Sequence, residues 1–461
     1  MSILTASASR SGTKSFQHRL NNLMARMATP QFVISFTLVG SLAYLVLFPL
    51  IQLIIQTVTW GEGARRFSRD AEPGELTGFF WQEVFNGAAT EAIFLEPLWN
   101  TLVTGISAAV LAMVLGSMLA WLVTRTDLPG KNWLRPLFTL SYVIPSFAIA
   151  LAWEAIFKSP KFGGQPGLMQ AIFGVEPPEW SSFGPIPIII TMAVHYYPFA
   201  FLLVSGTLVT IDSQLEESAE LLGASRLTIL RKITFPIIAP ALMAAFILTF
   251  GKTIGTFALP YLLGGPAQYH TLATMLYAQL GIGLDAMGYI LALVLIAITA
   301  LAIYISYRLL GGSLQRFETI GGKGFKGKLT SLGPWRWPVF GLATTIALVT
   351  AVAPIVLLTY QTLMAVDGRW GLDNLTLHYW IGESDPEYAH GEPGVLHNTI
   401  IIDAMWNTLR LALISSLVCS VVGLVIGYIV VRNRESLMSR LMDQLAFVPF
   451  LFPSIAFGAM Y

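Results

Sequence analysis

Apolar runs of about 20 residues, the length that crosses a bilayer core, recur near 32–57, 98–124, 136–157, 185–210, 240–262, 286–309, 337–363, 405–431 and 444–461. The pattern predicts nine membrane-spanning helices and an all-α polytopic membrane protein. Polar residues gather between the runs, and the first 31 residues are polar and basic, with no short apolar core ahead of a small-residue cleavage site. The first span is therefore expected to stay as an anchor. Composition agrees: 55% of the 461 residues are hydrophobic and 11% charged, with a mean hydropathy of +0.66, far from a soluble globular average.

Charge then orients the chain. The N-terminus and the segments 125–135, 226–232, 308–336 and 432–440 carry nineteen Lys and Arg, against six in the alternate loops. The positive-inside rule places the N-terminus in the cytoplasm. Acidic residues show the reverse bias, which matters for docking a partner outside. Cys419, the only cysteine, falls in an apolar run. That excludes a disulfide framework and a thiolate metal site and predicts a packing role.

One long stretch is polar and internally patterned: Glu216 to Ala241, between two apolar runs. Ser213 and Glu216 have the spacing of a capping box, so a helix is expected just after Ser213, with Glu216, Glu217 and Glu220 near its positive end. Gly223 should end it. Ser225 can open a second short helix with Leu227, Leu230 and Ile233 on one side and Arg226, Arg231 and Lys232 elsewhere, restricted by Pro236 and Pro240. The spacing, Glu217, Ala219 and Gly223, then nine residues to Ile233 and Pro236, resembles the "EAA" loop of permease subunits in binding-protein-dependent ABC importers.

That resemblance implies a type I ABC importer transmembrane fold in the bacterial inner membrane. It makes Glu216, Glu217, Ala219, Gly223, Ala224, Ser225, Arg226, Ile233 and Pro236 the ATPase-coupling residues. It also implies two cytoplasmic ATP-binding subunits holding ATP and magnesium, a periplasmic solute-binding protein and surrounding lipid, with no nucleic acid and no cofactor on this chain.

The two ends of the chain are similar to each other. Residues 48–58 resemble 353–363, with Pro49 matching Pro354; Leu98–Leu102 corresponds to Met405–Leu409; and Pro145-Ser146 matches Pro453-Ser454. Six spans precede the second copy, so the repeats are parallel, related by a pseudo-two-fold axis along the membrane normal. The expected organisation is a cytoplasmic tail over 1–31, a first permease repeat over 32–310 with the loop at 212–241, a basic linker over 311–336, and the start of a second repeat over 337–461. Among permeases this is closest to the fused ferric-iron, thiamine and polyamine-type group, whose second half is complete. The second repeat is therefore expected to be truncated.

Chemistry is sparse. Gly322–Leu329 nearly matches a phosphate-binding loop, but Leu329 stands where a hydroxyl should reach magnesium and no buried strand precedes it. ATP hydrolysis is expected in another chain. No ligand cluster, nucleophile elbow or carboxylate dyad supports an enzyme. Lys252 lies in an apolar run, where an uncompensated charge costs about 2.5–3.5 kcal/mol on insertion scales. With Thr253 and Thr256 it is expected either to face the translocation pathway or to pair with a buried acceptor. His195 and Tyr196, beside the kinking Pro198, are further pathway candidates. Glu154 and Lys158 are expected to pair locally. The resemblance implies ferric iron as one candidate substrate, but ferric permeases carry acids near the Lys252 segment and this sequence has none there; that departure counts against ferric ion and leaves room for a small anionic solute such as an organophosphate or a ferric-anion complex. The alternatives are an ion-coupled secondary transporter and a non-transporting membrane scaffold.

Overall fold

The computed structural model describes residues 30–61, 67, 71–163, 165–211, 213–310, 329–386, 389–433, 436–451 and 454–460. The tail before residue 30, the glycine-rich stretch 311–328 and Pro453 lie outside this set, as do the side chains of Ser213 and Arg226. The described chain is helical, with only isolated β-bridges.

The long helices are α1 (Pro30–Thr57), α2 (Glu96–Arg125), α3 (Lys131–Val143), α4 (Ser146–Phe157) and α5 (Pro185–Thr210). There follow α6 (Ser213–Leu221), α7 (Phe235–Ile254), α8 (Ala258–Gly264), α9 (Leu272–Gly281) and α10 (Asp285–Leu310). After these come α11 (Arg336–Ala347), α12 (Ala353–Gln361), α13 (Thr399–Arg432), α14 (Leu437–Leu451) and α15 (Ser454–Met460), and further short helices, Phe79–Asn86 and Leu168–Phe173 among them, stand in the connections. They fall into two compact units, one of residues 1–53, 403–450 and 460–461, the other of 54–402 and 451–459.

In the larger unit, α2, α5 and α7 pack on one another. The reason is a stripe of small residues on α2: Ala108, Ala112, Gly116 and Ala120, four apart and buried. Lipid tails are as apolar as leucine, so helices associate where small side chains let backbones approach. A Cβ at Gly116 would run into the Tyr197 carbonyl oxygen and lie 2.8 Å from Ala200 Cβ; one at Gly105 would lie 2.6 Å from Ile254 Cγ2. The two glycines thus seat α5 and α7 on α2. In the smaller unit, the apolar window of α13 has no buried residues. Cys419 is exposed there, so the expected packing role has no counterpart among the described residues.

Seven described helices are long and apolar enough to span a membrane, or eight if one bent pair counts as a span. Nine were expected. The run 136–157 is two helices, α3 and α4, meeting at 95°. Pro145 disfavours helical backbone at the residue before it, and Ile144 is extended at φ −67°, ψ 127°. The run 240–262 is displaced: the span is Leu227–Ile254, and the backbone breaks before α8. The run 444–461 is divided between α14 and α15 around residues outside the described set.

Three π-turns, Glu91–Leu95, Leu230–Thr234 and Leu348–Val352, each stand two residues before a proline: Pro97, Pro236 and Pro354. A proline in a continuing helix removes one N–H and crowds the carbonyl four residues back. One residue of widening relieves both, so these helices continue through their prolines.

Candidate functional site

The loop between α5 and α7 opens with α6. Its end is a complete Schellman turn: the Ala224 N–H donates to the Ala219 carbonyl at 2.9 Å and the Gly223 N–H to the Glu220 carbonyl at 3.0 Å. Gly223 sits at φ +84°, a left-handed conformation that glycine adopts without penalty. Ala219, Gly223 and Ala224 of the spacing motif are therefore parts of one turn. Ser225 then caps the next helix. Its hydroxyl accepts from the Thr228 N–H at 3.3 Å and its carbonyl from the Ile229 N–H at 3.0 Å.

A second isolated helix was expected here. Instead Arg226–Ile229, the π-turn Leu230–Thr234 and α7 form one run. Pro236 is the second residue of α7 and Pro240 lies inside it. Leu227, Leu230 and Ile233 are thus the first turns of the span.

The acids of α6 divide. Glu217 and Glu220 are exposed, and beside them Leu221 and Leu222 are 89% and 88% exposed. Glu216 turns inward. Its Oε1 accepts from Arg125 Nη2 at 3.2 Å and from Thr234 Oγ1 at 2.8 Å, and the ion pair is largely shielded, at 14% and 26% side-chain exposure. One carboxylate ties α6 to the end of α2 and to the π-turn ahead of α7. Sequence reasoning missed Arg125 and Thr234; the only sequence signal for Arg125 is that it closes an apolar run.

The pathway candidates gather elsewhere, where α2, α5 and α7 meet. Tyr196 Oη and Thr256 Oγ1 are 2.6 Å apart, and Thr256 also donates to the Lys252 carbonyl at 2.7 Å. Thr253 Oγ1 donates to the Gly105 carbonyl at 3.2 Å. His195 Nδ1 donates to the Ser141 carbonyl of α3 at 3.3 Å. His195, Tyr196, Thr253 and Thr256 are buried and Lys252 is half-buried. Their hydroxyls and the imidazole join neighbouring helices. Glu154 and Lys158 pair at 2.9 Å, as their spacing implies.

Residues 112–317 match the family described as "Binding-protein-dependent transport system inner membrane component", a range that holds α6, the Schellman turn and α7. Over that range the chain resembles the membrane components of binding-protein-dependent importers. It is 28% identical over 197 residues to the sulfate transport system permease protein CysT of Salmonella typhimurium, covering 43% of this chain and 67% of that one. It is 25% identical over 366 residues to the ferric transport system permease protein FbpB of Actinobacillus pleuropneumoniae, covering 77% and 49%. A bacterial ABC transporter involved in alginate import aligns at 16% identity and TM-score 0.48, over 65% of this chain and 100% of that one. The chain thus spans about two thirds of the first permease's length and about half of the second's.

Proposed function

We propose that this permease component couples to two cytoplasmic ATP-binding subunits through the loop 212–241, and receives solute from a periplasmic binding protein. The observation that carries the reading is the split of α6 into two faces. Leu221 and Leu222 stand almost fully exposed at a rigid Schellman turn beside Glu217 and Glu220, and a pair of leucines is costly to leave in water. Opposite them, Glu216 is tied to Arg125 and Thr234. A push on the exposed face is thereby passed to α2 and α7. ATP and magnesium belong to the partner subunits in this reading. The solute is a small anion, an organophosphate or ferric iron; Lys252, the one cation of α7, supports the anionic choices through attraction near the route.

The test is co-purification of the full chain with its ATP-binding subunits. Leu221→Asp/Leu222→Asp should insert normally and lose the ATPase, because it places two charges in an apolar seat. An intact complex from this double variant overturns the reading.

A further inference from the structure

The junction after α2 carries a second surface. Residues 125–132 and 329–337 are stapled by backbone: the Thr330 N–H donates to the Arg125 carbonyl at 2.8 Å, and the Asp127 N–H to the Thr330 carbonyl at 3.2 Å. The Leu332 N–H donates to Asp127 Oδ1 at 2.9 Å, and Ser331 Oγ to Asp127 Oδ2 at 3.4 Å. A Cβ at Gly130 would lie 2.8 Å from the Phe340 ring. The first turns of α3 and α11 are therefore held side by side although 205 residues separate Asp127 from Leu332 in sequence.

What these two helix starts present is uniform. Trp133 is 81% exposed, Trp335 71% and Trp337 68%. Among them stand Lys131, half-buried, and Arg135 and Arg336, exposed. Asp127 is the only acid of the two segments, and its carboxylate is spent on the staple. Indoles settle at the headgroup level, where the ring is apolar and the N–H wet. Guanidinium groups hold phosphate through paired hydrogen bonds. The surface lies on the side with the excess of Lys and Arg, the cytoplasmic side, whose leaflet is anionic.

We propose that the paired starts of α3 and α11 form a binding site for anionic phospholipid of the cytoplasmic leaflet. Arg135, Arg336 and Lys131 hold the phosphate, and Trp133, Trp335 and Trp337 fix the depth of the headgroup. A basic residue near an anionic surface contributes about fivefold to binding. The expected preference for phosphatidylglycerol over phosphatidylcholine therefore lies between about fivefold, for one cation, and about a hundredfold, for all three acting independently.

The experiment is native mass spectrometry of the full chain in detergent, titrated with equal amounts of the two lipids. Phosphatidylglycerol adducts should dominate, and Lys131→Gln/Arg135→Gln/Arg336→Gln should bring the ratio close to one. Lys161→Gln/Arg369→Gln, on the opposite loops, should leave it unchanged. Brominated phosphatidylglycerol should quench the fluorescence of the full chain more than that of Trp133→Phe/Trp335→Phe/Trp337→Phe; this second measurement decides if the cation variant does not fold. Equal adducts of both lipids, a preference that survives the triple charge variant, or equal quenching of wild type and the tryptophan variant overturns the site.

Discussion

At Gly223, backbone conformation sets the cost of change. A Cβ there meets nothing within 4 Å, so substitution is opposed by the left-handed φ of +84° alone. Gly223→Ala should cost about 1–2 kcal/mol and Gly223→Val more, while Gly223→Asn, whose side chain tolerates this region, should be mildest. Hydrogen exchange of the full chain in nanodiscs checks this. The Gly223 and Ala224 amides should lose protection in the order Val, Ala, Asn, with the centre of α2 unaffected. Equal protection in all three variants would mean that the turn is not held by these two bonds. Gly223 was legible in the sequence because a helix stop is a local signal. The inward turn of Glu216 was not: its partner Arg125 lies 91 residues away, and nothing local distinguishes Glu216 from the exposed Glu217 beside it.

Helices were legible as apolar runs, since composition over 20 residues reports burial in lipid whatever the backbone does locally. Their ends and breaks were not. The run through Pro145 has uninterrupted hydropathy, yet its backbone turns by 95°; Pro236, which reads as a stop, is carried inside a continuing helix by the preceding π-turn. A proline's effect depends on whether the turn before it can widen. The α2 seam is likewise invisible to hydropathy, which scores Gly116 as neutral while the structure brings the Tyr197 backbone against it. Gly116→Ala should lower the thermal unfolding midpoint and Gly116→Leu should prevent accumulation of folded protein, since overpacking costs about 1–3 kcal/mol or more. Gly206, with open space around its Cα, is the matched control. A thermal shift assay in detergent that finds Gly116→Leu and Gly206→Leu equally stable would show that α2 and α5 do not meet there.

For the whole molecule, the proposed coupling depends on which side of the membrane the loop between α5 and α7 faces, and charge is the argument for it. Nineteen Lys and Arg gather on the loops that include 226–232, against six on the alternate set, and transfer of that many cations is what the positive-inside bias opposes. Two exposed leucines report the two sides: Leu222, 88% exposed in the loop between α5 and α7, and Leu372, 84% exposed in the loop between α12 and α13. With Cys419 replaced by serine, the chain offers a cysteine-free background. Leu372→Cys should react with a membrane-impermeant maleimide in intact cells, whereas Leu222→Cys should react only after permeabilisation. The same assay applied to Trp133→Cys should follow Leu222→Cys, because the staple between 125–132 and 329–337 lies on the same basic side. If Leu222→Cys reacts from outside, the loop is beyond the reach of any ATP-hydrolysing subunit, and the Glu216 tie to Arg125 and Thr234 would serve only to hold the helices together.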